Sequence, residues 1–119
     1  MKYLLLIYSD DSKTANMPPE VATAFMEEFK QYTRDMMEAG IRLGGEALQP
    51  TSTATTIHVE DGKTMTTHGP FAETKEQLGG FYLIDVENLD QAIEWAAKIP
   101  GARYGKIEIR PIVTYDLTA

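Results

Sequence analysis

The side chains that could do chemistry near neutral pH are concentrated between His68 and Glu76. His68 begins a Gly-Pro turn, and Glu73 and Lys75 follow it on a charged loop. Because imidazole has an unperturbed pKa near neutrality, His68 is the candidate catalytic acid/base, and Glu73 is a candidate ligand contact. We therefore predict that a small-molecule site lies where this loop meets the sheet, and not in the helical layer.

Arg103 and Tyr104 are two further candidate ligand-binding residues, since they follow the second predicted helix with a guanidinium and a phenol. Each candidate also has a structural alternative. Arg103 and Tyr104 could hold a helix C-terminus and pack against a second subunit. His68 could form a hydrogen bond at its turn, and Glu73 could belong to a solvated loop.

Composition excludes several classes of function. The 119 residues are 43% hydrophobic, enough for one core, and we expect a single domain over residues 1–119. The net charge of -7, with basic residues spread from Lys2 to Arg110, argues against a nucleic-acid partner. Without cysteine there is no disulfide or thiolate chemistry. The apolar run 3–8 is much shorter than the roughly 20 residues of a membrane span, so we expect a cytoplasmic protein with no membrane partner.

The Asp-Gly pair at 61–62 lies between two strand-like segments and predicts a hairpin with a type I′ turn. A two-residue turn places His68 opposite Thr55 and His58 opposite Met65. The two histidines of the sequence then point to opposite faces of the ribbon, and no His-x-His or His-Glu-x-x-His spacing is present. We therefore predict no metal site.

Two segments have helical spacing. The first begins at Pro18-Pro19 after a polar loop over 10–17, and runs to about Ala39. We expect its methionines to pack in the core. The second is capped by Asn88 and ends at Pro100-Gly101.

Strands are predicted over 2–9, 41–48, 81–86 and 104–113. Paired glycines at 44–45 interrupt the second of them, and they mark either a bulge or the close approach of a ligand. The order strand, helix, strand, hairpin, strand, helix, strand predicts an α+β fold, a split βαβ plait with an inserted β-hairpin.

The strands 2–9 and 81–86 are apolar on both faces, whereas helices in this plait cover only one face of the sheet. Each aliphatic side chain left exposed would forgo roughly 1.5–3 kcal/mol of burial. We therefore predict a homodimer that buries the second face, with an interface of at least roughly 1,200 Å².

The motif HGPFAETKEQLGGF at 68–81 resembles the DGPF-domain branch of the YCII-related family. The segments 43–46 (LGGE), 48–50 (LQP) and 110–112 (RPI) are also similar to that family. The resemblance implies a ferredoxin-like fold in the dimeric α/β-barrel group, in which two sheets pack face to face. Family members usually carry Asp where this sequence has His68, so the role of that carboxylate does not transfer.

Two classes of function follow. The first is a protein that binds or transforms a small molecule in a cleft near the 68–75 loop, which leaves open whether it is an enzyme. The second, implied by the resemblance, is a non-catalytic accessory or regulatory protein linked to sigma-factor signalling, since some family members are encoded beside extracytoplasmic-function sigma factors. Neither class implies a cofactor.

Overall fold

A computed structural model describes residues 1–118, which form a mixed α+β structure. The strands are β1 (Lys2–Ser9), β2 (Arg42–Ala47), β3 (Thr55–Glu60), β4 (Lys63–His68), β5 (Gln77–Asp85) and β6 (Lys106–Pro111). The helices are α1 (Asp11–Ala15), α2 (Pro19–Glu38) and α3 (Leu89–Ala97), with short 3₁₀ turns at Thr51–Thr53 and Pro100–Arg103. None of the helices within residues 1–118 combines the length and the hydropathy needed to cross a membrane.

Four strands form an antiparallel sheet in the order β2-β5-β1-β6. The core lies between one face of this sheet and the two long helices, because alternate residues of β1 and β5 pack against α2 and α3. The buried core residues are Tyr3, Leu5, Tyr32, Met36, Tyr82, Ile84, Val86, Ala92, Ala96 and Ile99.

The opposite face of the sheet, here called the open sheet face, has an apolar centre. Leu4 lies opposite Leu83 and Leu6 lies opposite Phe81, and all four side chains are only partly buried. On β6 the same face carries Lys106, Glu108 and Arg110. The sheet is therefore apolar on both sides of its two central strands, as predicted from the sequence.

The hairpin β3-β4, here called the ribbon, forms a separate two-stranded sheet. Asp61 and Gly62 both have positive φ, 51° and 76°, which is the conformation of a type I′ turn. His68 pairs with Thr55 and His58 pairs with Met65, so the predicted register is confirmed. The two histidines lie on opposite faces of the ribbon.

The predicted end of α2 near Ala39 and the predicted cap of α3 at Asn88 are confirmed, whereas α3 ends at Ala97, before the predicted stop at Pro100-Gly101. Gly40 follows α2 with φ of 73°, the left-handed conformation that commonly ends a helix. The Asn88 side chain accepts a hydrogen bond from the backbone N–H of Gln91 at 3.0 Å, and the Gln91 side chain accepts one from the backbone N–H of Glu87 at 3.0 Å. Reciprocal bonds of this kind satisfy two amide groups at the start of α3.

Two segments differ from the prediction. The segment 10–17, predicted as a loop, contains α1, which begins where the Asp10 side chain accepts hydrogen bonds from Ser12. These bonds lower the pKa of Asp10. The third sheet strand, β5, begins at Gln77 and not at Phe81, because Gly79 and Gly80 continue the pairing with β1 and β2.

The methionines of α2 are not all in the core. Met36 is fully buried, whereas Met26 and Met37 are 57% and 62% exposed. A single sheet layer covers only the strip of α2 that contains Tyr32 and Met36. The apolar stripe of this helix is therefore wider than the surface available to cover it.

Tyr32 gives the folded state a predicted dependence on alkaline pH. Its hydroxyl donates to the carbonyl of Trp95 at 2.8 Å, and burial, with a smaller effect of nearby Tyr82, raises the pKa of Tyr32 well above its usual value. Above pH of about 10 the unfolded chain loses the Tyr32 proton while the folded chain keeps it, so stability present below that pH is lost as pH rises. We expect the free energy of unfolding to fall there by up to about 1.4 kcal/mol per pH unit from this group.

Denaturant titrations from pH 8 to pH 11 would test this expectation. Tyr32→Phe should flatten the alkaline decline, at the cost of about 1 kcal/mol at pH 8 from the lost hydrogen bond. Tyr115→Phe, which removes an exposed phenol, is the matched control. Its free energy of unfolding should decline with pH as that of the wild type does. Parallel pH profiles for wild type and Tyr32→Phe would contradict the assignment.

Candidate functional site

A cavity of about 870 Å³ opens between α2 and the ends of three sheet strands, and we call it the α2 cavity. Its walls come from α2, from β1, β2 and β5, and from α1 and the segment 47–52. Most residues of α1 and of 47–52 are exposed, and this side of the cavity is here called its mouth. Small-molecule sites in proteins typically have volumes of roughly 300–1,000 Å³. The cavity is therefore large enough for a drug-sized ligand.

Aromatic side chains form much of the cavity wall. The ring of Phe25 contacts Phe29 and Tyr104 edge to face, with centroid distances of 5.1 and 5.2 Å. Tyr82 and Ile7 line the cavity from the sheet. Rings packed edge to face attract one another, so this wall is apolar and its rings stabilise each other's positions.

Two glycines shape the sheet side of the cavity. Gly45 lies opposite Tyr82, and a Cβ atom at Gly45 would lie 2.6 Å from the Tyr82 ring. A Cβ atom at Gly80 would lie 2.9 Å from the carbonyl oxygen of Glu46. Glycine at position 45 therefore lets the Tyr82 ring lie across β2, where its hydroxyl is hydrogen-bonded to Thr33 of α2 at 3.1 Å.

Of the two interpretations of the glycine pair, the predicted bulge is present. The pairing of β2 with β5 shifts between Arg42 and Gly44, which is a bulge. The group that approaches Gly45 is the Tyr82 ring of the neighbouring strand. Both features come from packing within the sheet.

Asp11 ties together the two segments that border the cavity mouth. Its carboxylate accepts hydrogen bonds from the backbone N–H and the hydroxyl of Thr51, at 3.2 and 3.0 Å. The backbone N–H of Asp11 donates to the Gln77 side chain at 3.0 Å. These bonds join α1 to the 50–53 turn and to the start of β5, so they define the mouth.

Comparison with known proteins gives matches that cover nearly the whole fold. The YCII-related domain matches residues 1–116. The chain belongs to the YCII-related family. A relative from Rhizobium meliloti (strain 1021), described as an uncharacterized protein, is 42% identical over 118 residues, covering 97% of this chain and 94% of its own length.

Of the residues predicted from the sequence, Tyr104 is the one that lines the α2 cavity of this YCII-related protein. Arg103 lies beside it, with its guanidinium 5.5 Å from the Tyr104 ring and ion-paired with Glu28. His68 ends β4, Glu73 follows on the loop, and both are exposed. The structure thus brings Arg103 and Tyr104 together but leaves His68 and Glu73 outside the cavity.

The α2 cavity lies beside the helical layer, whereas the predicted site lay at the 68–75 loop. No residue of that loop lines the cavity. A catalytic role for His68 stays a prediction. The residues missed from the sequence are Asp11, Phe25, Phe29 and Tyr82, of which Asp11 alone had a local signal, the helix start at Asp10.

No cluster of three or more His, Cys, Asp or Glu side chains that could hold a metal ion occurs within residues 1–118. The register of the ribbon explains this for the histidines, because His58 and His68 point away from each other. His58 has the Glu60 carboxylate 3.9 Å away on its own strand.

Proposed function

We propose that this YCII-related protein binds a small, mainly apolar molecule in the α2 cavity. The observation that carries the proposal is a cavity of about 870 Å³ whose wall includes the mutually packed rings of Phe25, Phe29 and Tyr104. Apolar surface of this kind gains free energy when a ligand displaces water from it. Glycine at position 45 supports the same proposal, since it leaves room for the Tyr82 ring that forms part of the wall.

The proposal concerns binding only. Catalysis by His68 is a separate hypothesis. The residues that line the cavity include no histidine. A proton transfer by His68 would need the ligand to lie at the 68–75 loop, within hydrogen-bonding reach of the imidazole. The two placements of the site therefore predict different mutant behaviour.

A fluorescence titration with aminoanthracene, an uncharged aromatic probe, separates the two placements. We expect wild-type protein to bind the probe and to be stabilised by it in thermal unfolding. Ala47→Phe should weaken binding by about tenfold or more, because Ala47 lines the cavity and the added ring would occupy it. His68→Ala should leave binding within about twofold of wild type.

The opposite pattern would overturn the proposal. Loss of binding in His68→Ala with full binding in Ala47→Phe would move the site to the 68–75 loop. If neither this probe nor any class in a compound library stabilises the protein, the accessory or regulatory alternative linked to sigma-factor signalling becomes the better one. That alternative now rests on family resemblance alone.

We further propose that the protein is a ferredoxin-like homodimer of the DGPF branch, with two open sheet faces packed together as in dimeric α/β barrels. Described residues span 51 × 48 × 18 Å, and the short dimension is that of one sheet plus one helical layer. The apolar centre formed by Leu4, Leu6, Phe81 and Leu83 supports this partner surface. A second copy would cover these side chains and so gain the free energy of burying them.

A further inference from the structure

The ionisable residues that line the α2 cavity include acidic but no basic side chains. Among the residues that line it there is no Lys, Arg or His, whereas Asp11 contributes a carboxylate. Glu46 also borders the cavity, but it lies opposite Phe81, so its side chain is on the open sheet face. The remaining polar lining is neutral and consists of Ser9, Ser12, Thr14, Thr33, Gln49, Thr51 and Ser52 with the phenols Tyr82 and Tyr104. An anion entering this cavity would meet no positive side chain in its wall.

Several cationic side chains near these elements contact other groups, and Lys13 of α1 lies close enough to Asp10 to lower the pKa of that carboxyl. Arg103 is ion-paired with Glu28, and Lys106 is ion-paired with Glu76. The Arg42 guanidinium donates to the carbonyl of Gly45 at 3.3 Å. The net charge of -7 over the whole chain favours the approach of cations over that of anions at long range.

We infer that the ligand of the α2 cavity is a hydrophobic amine, positively charged at neutral pH. This inference rests on the proposed function and adds the ligand class. The apolar body packs among Phe25, Phe29 and Tyr82, and the ammonium group lies toward the partly buried carboxylate of Asp11 at the mouth. Aromatic faces also attract cations, so the Phe25 and Tyr104 rings tolerate the charge better than an aliphatic wall would.

Three ligands with one skeleton test the inference on wild-type protein. Phenylbutylamine, phenylbutanol and phenylpentanoate each carry a phenyl ring on a chain of four methylene groups and differ in the charge of one end. In competition with aminoanthracene we expect the amine to bind about tenfold or more tightly than the carboxylate, with the alcohol between them. The difference between amine and carboxylate should shrink as salt is added, because screening weakens both attraction and repulsion.

Asp11→Asn tests the assigned contact. Asparagine keeps a side-chain oxygen that can accept from Thr51 but removes the charge. We expect amine binding to weaken about fivefold while binding of the alcohol stays within about twofold of wild type. An equal loss for both ligands would mean that Asp11 acts through the shape of the mouth, and would overturn its role as the charge partner.

Failure of the inference can be distinguished from failure of the proposed function. If aminoanthracene binds and all three ligands displace it equally, or the carboxylate displaces it best, the inference alone is overturned. If aminoanthracene and all three ligands fail to bind, the proposed function is overturned and the inference with it. The series on wild-type protein decides the ligand class even where Asp11→Asn does not fold.

Discussion

Replacing Leu6 by lysine should convert the proposed homodimer to a monomer at micromolar concentration. Leu6 lies on the open sheet face between Phe81 of β5 and Glu108 of β6. In the monomer the new ammonium group can pair with Glu108, so the fold should persist. In the dimer the same group would be buried against an apolar surface, once in each copy, and the dissociation constant should rise by about a hundredfold or more.

Light scattering after size exclusion gives the mass of each variant directly. Ile93→Lys is the matched control, because Ile93 is 47% exposed on α3, which packs on the other face of the sheet. It should remain dimeric, since it changes the same residue class away from the proposed interface. A monomeric wild type at micromolar concentration, or a dimeric Leu6→Lys, would contradict face-to-face packing.

Gly45→Ala should reduce the free energy of unfolding by about 2 kcal/mol, a large effect for a single methyl group. The new Cβ atom would lie 2.6 Å from the Tyr82 ring and 2.9 Å from the carbonyl oxygen of Phe81. The backbone oxygen cannot move without disturbing the pairing of β2 with β5. Tyr82 must therefore shift, which strains its hydrogen bond with Thr33 and deforms the α2 cavity.

Gly79→Ala is the matched control for this prediction. A Cβ atom at Gly79 would lie 3.9 Å from the carbonyl oxygen of Ile7 and 4.0 Å from the Ser9 hydroxyl, which are ordinary contacts. Its unfolding free energy in urea should remain within about 0.5 kcal/mol of wild type. Equal stability of the two variants would show that the approach of Tyr82 to Gly45 does not constrain position 45.

The ribbon shows how local chemistry made part of the fold predictable. Asp61 and Gly62 can both adopt positive φ, and a two-residue turn leaves a single register for the strands it joins. The start of α3 is local in the same sense, because the residues that cap it, Asn88 and Gln91, are three positions apart. The unbroken apolar run of β1 likewise predicted a strand with two apolar faces.

Tertiary structure alone decided the candidate site. The cavity wall combines Phe25 and Phe29 of α2 with Tyr82 of β5, residues more than fifty positions apart whose proximity depends on the packing of the helix on the sheet. Packing also decided which methionines of α2 are buried, since the sheet covers only one strip of the helix.

His68 and Tyr104 illustrate the same limit. As sequence they were equally plausible site residues, one beside a charged loop and the other after a helix. In the fold the ribbon holds His68 away from the core, whereas the turn at Pro100–Arg103 brings the Tyr104 ring to within 5.2 Å of Phe25. The residue types of a site can be read from a sequence, but their convergence depends on long-range packing that no local pattern encodes.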